Sequence, residues 1–534
     1  MTLDTAPGTR RPGGTGGPGR PGGTGGTGGT GRTVPPYDPA ELRRSTPRAA
    51  LSRALAVPLV LGMVAVLPGA VATQPGPGVR DTAFWLQLTL CCYAGARLSS
   101  MVLTARRRLI QGSFWLFTYI AMGVAPLAQT VLDRTPTPVV GPRSDTVLAV
   151  ALVLCGVVAF DVGALLARHR PAPRRRRARG PASVHRPRLY ALVLFSYAAS
   201  ALMVVQLGGV GVFFSSREEI GASVGAATGA AAADAAASQA GSAFLRGFGT
   251  VPVLLSLLFL TRWLVTSRTA RRRPLVIGLW TVTLGVNVIV NNPVSNPRYW
   301  FLTVLFALLF TAFPRSPVMY RGALALGAVV ALVVFPYADR FRYAEDAARP
   351  ETESVLEPLT LKDYDQIGMF ANTISYADAG EGHTYGRQAA GTVLFFVPRS
   401  VWTGKPEDTG VRVGQWMGMR NTNLSAPLWA ELWLDFGPLG MTGGFLAAGY
   451  VASRADRRYV RHTAAGTGYA PGAVAAIVTP LVAGYGFILL RGPLLQAMGR
   501  IGIAVVCLTL VTTFRTEERA GPGRRGNAAR KLLR

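Results

Sequence analysis

Residues 145–166 read DTVLAVALVLCGVVAFDVGALL, with only Asp145 and Asp161 charged. A helix needs about 20 mostly apolar residues to cross the hydrocarbon core of a bilayer. This run is that long, and Arg168, Arg170 and the block Arg174 to Arg177 follow it. Working outward, the same unit of apolar run and basic connection recurs along the chain. We read twelve spans, at 54–73, 82–103, 109–131, 145–166, 189–207, 244–265, 275–291, 299–314, 321–337, 434–452, 473–490 and 494–513. The expected fold is an all-α polytopic membrane protein with a large extracytoplasmic loop. A soluble chain of this length would divide into about three or four domains. Here one membrane domain, 51–514, takes up nearly everything, because 49% of the residues are hydrophobic and 16% charged.

The flanks differ in kind. Residues 1–50 are Gly, Pro, Thr and Arg with an imperfect G-G-T repeat, too polar and too rich in glycine to bury a core. They are expected to form a disordered cytoplasmic tail. Residues 515–534 are expected to form a second, basic cytoplasmic tail.

Orientation can be tested within the sequence. With the N-terminus in the cytoplasm, the cytoplasmic connections are 104–108, 167–188, 266–274, 315–320, 453–472 and the tail from 514, and each carries arginine. The opposite connections are 74–81, 132–144, 208–243, 292–298, 338–433 and 491–493, which are poorer in arginine. The loop 338–433 holds nine basic and thirteen acidic residues. This alternation follows the positive-inside rule and predicts a multi-pass protein of the plasma membrane with both termini cytoplasmic. Net charge is +29. Its placement between apolar runs argues against nucleic acid and for anionic membrane lipids as the partner. Cys91, Cys92, Cys155 and Cys507 all lie in apolar runs without C-x-x-C spacing, so neither a disulfide framework nor a metal site is expected.

Loops as long as 338–433 usually carry function. Within it, Leu361, Tyr364, Ile367, Phe370 and Ile374 keep a spacing of three to four, and Thr360 and Asp363 sit where a helix start would be capped. The pattern predicts an amphipathic helix over 361–377 on the outer membrane surface.

Arginines on the outer side run against the topogenic preference. Arg217, Arg298, Arg342, Arg399 and Arg491 fall there. Arginine grips phosphate oxygens through paired hydrogen bonds, although interfacial snorkelling would place it equally well. The segment Asn291 to Trp300 is a polar turn with two prolines, which either lines a cavity or simply closes tightly. Arg399 and Lys405 bring two cations six residues apart, with Trp402 between them. Glu431 and Asp435 stand at the outer end of a span, where a carboxylate is costly unless paired or used. Glu431 is a candidate general base or an ion-pair partner for arginine. His383, in the loop Gly380 to Gly386, is a second candidate base, against the plainer reading of an inert loop histidine. There is no Asp-x-Asp pair, Walker motif or dinucleotide fingerprint, so no cofactor is expected and the energy for any transfer must reside in the substrate.

These residues carry a resemblance. Asp363-Tyr364-Asp365-Gln366 with Asn372, Val397-Pro398-Arg399 followed by Lys405-Pro406 and Gly410, Ser425-Ala426-Pro427 followed by Glu431, and Phe436-Gly437-Pro438-Leu439-Gly440 resemble the O-antigen polymerases known as Wzy, in the oligosaccharide repeat unit polymerase branch. Gly208-Gly209 with Arg217, and Ser295 with Arg298, also fit. Ten residues separate Arg399 from Gly410, similar to the R-x10-G pattern of these polymerases. The likeness covers about 200–430 and the following span. A second such element is lacking, since Thr228 stands where a glycine would follow Arg217.

The resemblance implies an enzyme that joins undecaprenyl-diphosphate-linked oligosaccharide repeat units into a cell-surface polysaccharide, of O-antigen, capsule or exopolysaccharide type. It implies catalytic roles for Arg399, Glu431 and His383, and substrate contacts from Arg217, Arg298, Lys405, Arg491 and Asp365. It leaves open whether a flippase and a chain-length regulator act alongside. A glycan ligase or lipid-dependent glycosyltransferase would use the same parts. A polysaccharide transporter or flippase is the alternative from another class. Transporters often show internal repeats and broken helices at mid-membrane, whereas here no repeat is evident and the polar residues gather at one face.

Overall fold

The structure is a computed structural model. It describes residues 56–104, 106–169, 183–214, 235–329, 356–360, 364–397, 399–420, 422, 424–464, 474–492 and 494–513. The two expected tails, Arg217, Arg342 and residues 338–355 of the long loop lie outside the described residues.

Apolar runs fold as helices because a helix satisfies its own backbone without water. In chain order these are α1 (Val57–Ala72), α2 (Thr82–Thr104), α3 (Leu109–Leu132), α4 (Arg143–His169), α5 (Arg186–Gln206), α6 (Ala235–Thr266), α7 (Pro274–Val290), α8 (Arg298–Ala312), α9 (Pro317–Val329), α10 (Gln366–Tyr376), α11 (Arg387–Val393), α12 (Thr409–Trp416), α13 (Leu428–Thr463), α14 (Ala475–Arg491) and α15 (Leu494–Val511). A two-residue antiparallel pair, Ser183–Val184 with Thr512–Thr513, is the only strand pairing among the described residues.

Six of these helices contain segments long and apolar enough to cross a membrane: Thr82–Thr104, Leu109–Leu132, Arg143–Arg168, Arg186–Gln206, Leu245–Thr266 and Leu494–Val511. Four more, α1, α7, α8 and α14, are apolar but shorter. Helices overlap all twelve expected positions, yet α13, whose middle is rich in glycine, and α9, which carries Arg321 in its described part, belong to neither group. The flanks of the bundle are apolar: Val158, Val162, Leu202, Val205, Val282, Val505 and Leu510 are all exposed. Apolar side chains left exposed on helices of this length suit lipid contact.

Two large apolar cores, and a small third one around Met203, Leu207, Phe213, Val253 and Val290, hold the described helices together. The first gathers α2, α3, α4, α10 and α13 around α3, which is almost wholly buried. Phe160 stacks on Phe114 at 3.6 Å, Phe114 on Trp429, and Trp429 on Phe445 at 4.3 Å, tying α4, α3 and α13 together. The second joins α5, α6, α7, α8, α14 and α15. Between helices in lipid, close van der Waals packing supplies the attraction. At the α4–α13 crossing, a Cβ on Gly163 would strike the Leu446 carbonyl and one on Gly449 the Phe160 carbonyl. Glycine at both positions is what lets the two backbones touch.

The charged residues of the 145–166 stretch are spent in the fold. Asp161 pairs with Arg97 and accepts the Tyr93 hydroxyl at 3.1 Å. Asp145 accepts the Ser375 hydroxyl at 2.6 Å.

One expectation is corrected. The helix expected at 361–377 runs from Gln366 to Tyr376, and all of its residues are buried. It packs against α4, α12 and α13 instead of lying on a surface. Its less apolar side is not solvated but bonded to the 133–145 connection. Asn372 accepts the Val140 N–H at 3.0 Å and donates to the Pro138 carbonyl at 2.8 Å. Thr360 donates to the Glu357 carbonyl within a short 3-10 turn and does not cap the helix.

Candidate functional site

The long loop folds back onto the N-terminal end of α13. Gly437, at φ +68°, breaks α13 nearly two turns past Glu431, so the stub Leu428–Phe436 stands apart from the long apolar segment that follows. Two carboxylates, Glu431 and Asp435, lie one helical turn apart on this stub.

Asp435 is fully engaged. Its carboxylate accepts the Thr384 hydroxyl at 2.6 Å and the N–H groups of Gly386, Gln388 and Ala389 at 2.9, 3.1 and 2.8 Å. It closes the 382–386 loop and satisfies the first turn of α11. That loop positions His383, whose ring lies 4.9 Å from that of Trp433. His383 Nδ1 is buried without a hydrogen-bond partner, and Nε2 faces the Gly437 break.

Glu431 meets a residue that sequence reasoning missed. It accepts the Thr409 hydroxyl at 3.1 Å and the Leu494 backbone N–H. Asp408, next to Thr409, accepts the backbone N–H groups of Leu495 and Gln496 and the Gln496 side chain. Two buried carboxyl groups from different parts of the chain therefore share the N-terminus of α15. Glu431 Oε1 and Asp408 Oδ1 are both buried without a hydrogen-bond partner. Burial, with the Asp408 charge adding, pushes the Glu431 carboxyl up to about 8. Burial likewise pushes Asp408 up to about 6, against the opposing pull of its N–H donors. Both carboxyl groups are thus raised toward neutral pH, and two buried negative charges this close oppose each other, so the pair favours sharing a proton.

Arg491 closes α14 three residues before Leu494, and its guanidinium lies over the Tyr299 ring at 5.1 Å. Arg298, next to Tyr299 in the first turn of α8, is buried. Arg298, Arg491 and Glu431 are thus carried on ends of α8, α14 and α13, and Asp408 reaches the start of α15 from the residue before α12. The Asn291–Trp300 turn is the tight one of its two readings. Asn292 Oδ1 accepts the Val294 and Ser295 N–H groups, Asn296 donates to the Val290 carbonyl, and Trp300 donates to Asn291.

The other expected residues are placed elsewhere. Lys405 Nζ donates to the carbonyls of Phe395 and Val397 at 2.7 and 2.9 Å. Arg399 donates to the Lys405 carbonyl at 3.1 Å and lies 3.9 Å from Glu407. Both cations clamp the loop that contains them. Gly410 has a packing role: a Cβ there would strike the Leu424 carbonyl. Asp365 is buried beside α10 and accepts the Thr137 hydroxyl at 3.3 Å and the Gln366 amide at 3.1 Å.

Compared with family models, with curated proteins and with solved structures, the chain matches none.

Proposed function

We propose that the chain is a membrane glycosyltransferase that polymerises polyprenyl-diphosphate-linked oligosaccharide repeat units, with Asp408 and Glu431 as its proton-handling pair. The observation that carries this reading is the pair itself: two carboxyl groups buried together at the start of α15, both raised toward neutral pH, with one oxygen of each lacking a partner. Glycosyl transfer from a lipid diphosphate breaks the bond between the anomeric carbon and the diphosphate oxygen. The diphosphate leaves with the electron pair, and an acceptor hydroxyl oxygen bonds to the anomeric carbon. Its proton must go to a base, and an ionised carboxylate raised toward neutral pH is suited to take it. Guanidinium groups suit the leaving diphosphate, and Arg298 and Arg491 stand on neighbouring helix ends. In the proposed topology this end of the bundle faces away from the cytoplasm and both termini face into it.

A second reading has one specific support. Buried protonatable carboxyls also suit proton-coupled movement of a lipid-linked glycan across the membrane. The purified full-length protein in liposomes with a defined undecaprenyl-diphosphate oligosaccharide separates the two. Longer glycan with free lipid diphosphate supports polymerisation. Movement of the oligosaccharide with no new linkage overturns it in favour of transport.

A further inference from the structure

At the other end of α13, Asp456 lies nineteen residues beyond the Gly437 break, roughly 28 Å along the helix that follows it. Here the bundle holds a cavity of about 730 Å³ that the proposed reaction does not use. Seven arginines line it. Arg106, Arg107 and Arg108 come from the α2–α3 connection, Arg168 from the end of α4, and Arg454, Arg457 and Arg461 from one side of α13. Among the described residues lining it, Asp456 is the only carboxylate.

That carboxylate is already committed. Asp456 accepts the backbone N–H groups of Ile110 and Gln111 at 3.0 and 3.2 Å, and the Gln111 side chain at 3.1 Å. It caps the start of α3. Several arginines are held by neutral groups: Arg107 by the Pro314 carbonyl, Arg457 by the Ala167 carbonyl, and Arg454 by the Tyr450 hydroxyl at 3.0 Å. These bonds fix the guanidinium groups without cancelling their charge. Arg168 Nη2 is buried with no hydrogen-bond partner. Burial, reinforced by the Arg106 and Arg97 charges, pulls Arg108 below the usual arginine range.

A positive-inside bias requires basic residues in a connection. It does not require three separate segments to converge on one concavity. Like charges gathered around a space of ligand size are relieved most by a polyvalent anion at their centre. Guanidinium forks match phosphate oxygens in geometry as well as charge. We infer that this cavity is a binding site for a phosphate-bearing polyvalent anion, distinct from the carboxylate pair at the opposite end of α13. Two sources present this chemistry. One is an anionic lipid headgroup, since the cavity lies where α3 and α4, both of membrane-crossing length, end. The other is a soluble diphosphate.

The test uses the purified full-length protein, with binding of inorganic diphosphate measured by calorimetry and binding of cardiolipin, against phosphatidylcholine, by native mass spectrometry. Saturable binding of diphosphate assigns the soluble source, and selective retention of cardiolipin assigns the headgroup. In either case the double variant Arg168→Gln/Arg454→Gln should weaken binding at least about tenfold, since each charge-assisted bond lost is worth about that factor. Arg168→Lys/Arg454→Lys should recover part of it. Both positions avoid the carbonyl bonds of Arg107 and Arg457 that hold helix ends. Should the Gln variant not fold, phenylglyoxal modification of native Arg454, read by peptide mass, must fall when the bound source is added. Binding of neither source, binding unchanged in a folded Gln variant, or unprotected Arg454 would overturn the inference.

Discussion

The Thr409 hydroxyl donates to Glu431 Oε2 across 3.1 Å, joining the first residue of α12 to the stub of α13. This bond places Asp408 beside Glu431, so two acids twenty-three residues apart in sequence meet over a third helix, α15. The electrostatic consequence is specific. Each carboxyl makes the other's second charge harder to hold, and burial makes the first costly as well.

Replacing Glu431 by Gln should separate stability from activity. The folded Glu431 carboxyl is raised to about 8, well above its ordinary value of 4.5. Between those values the native state binds the extra proton, so native stability declines as pH rises from about 4.5 to 8 and then levels. Gln mimics the protonated form and can still accept from Thr409 and Leu494. The Glu431→Gln variant should therefore match the native protein in thermal unfolding near pH 5 and exceed it above pH 8, while losing glycan extension because an amide can neither take up nor release the proton that the pair shares. Equal pH dependence in both proteins would show that Glu431 is not protonated in the folded state.

Asp435 should behave oppositely. It satisfies three backbone N–H groups and one hydroxyl, all in the 384–389 segment. Asp435→Ala leaves these donors without their acceptor, at a cost of about 3 kcal/mol or more. We expect a clear drop in melting temperature and faster proteolysis between 380 and 397. Asp435→Asn should retain part of the stability, because its carbonyl oxygen still accepts. An Ala variant with native stability and protease resistance would contradict this role.

How much of this was legible in the sequence follows from where each residue finds its partners. Helix positions were readable because an apolar run is a local signal, although only six of the described helices are long and apolar enough to cross a membrane. The 361–377 helix was placed wrongly because its periodicity reports one apolar side and is silent about what bonds the other. Asn372 is served by Val140 and Pro138, more than two hundred residues earlier. Glu431 was readable as a carboxylate at a helix end, but Asp408 was not. A local reading of Asp408-Thr409-Gly410 would have Asp408 cap its own helix, whereas its carboxylate crosses to α15. The basic cavity was visible only as separate arginine clusters, because their convergence depends on the α4–α13 crossing.

That crossing supplies the next prediction. Gly449 touches the Phe160 backbone, and any side chain there must separate α4 from α13. Overpacking of this kind costs about 1–3 kcal/mol, and more where the obstacle is backbone. Gly449→Val should lower the melting temperature sharply and disturb the stacked rings of Phe114, Phe160, Trp429 and Phe445. Gly443→Ala, where no atom lies within 4 Å of an added Cβ, is the matched control and should have little effect. Similar melting of the two variants would mean that the helices are not held in backbone contact.

Arg399 is the sharpest test of the loop cations. As a phosphate ligand, its replacement by Ala should abolish chain growth while the protein still inserts and remains monodisperse. Its bond to the Lys405 carbonyl gives a second consequence. Arg399→Ala should loosen the 395–407 loop, detectable as faster proteolysis there, and Lys405→Ala should loosen it equally by freeing Phe395 and Val397. If chain growth falls in Arg399→Ala alone, the guanidinium acts on substrate. If both variants lose it in proportion to loop opening, the cations serve structure. Full activity in Arg399→Ala removes it from the site.

The proposed arrangement requires the carboxylate pair and the arginine cavity to face opposite sides of the membrane, because the span-bearing part of α13 lies between them. Tyr385 is highly exposed on the loop closed by Asp435 and stands for the first side. Arg458, exposed on α13 next to Arg457, stands for the second. With Cys91, Cys92, Cys155 and Cys507 replaced by Ala, a single Tyr385→Cys should react with a membrane-impermeant maleimide added to intact cells. A single Arg458→Cys should react only after the membrane is opened. The reverse pattern would turn the molecule over. It would place the carboxylate pair on the cytoplasmic side, where a repeat unit presented at the outer leaflet cannot reach it. Labelling of both positions in intact cells would mean that α13 does not separate two compartments, and the polymerase reading would fall with it.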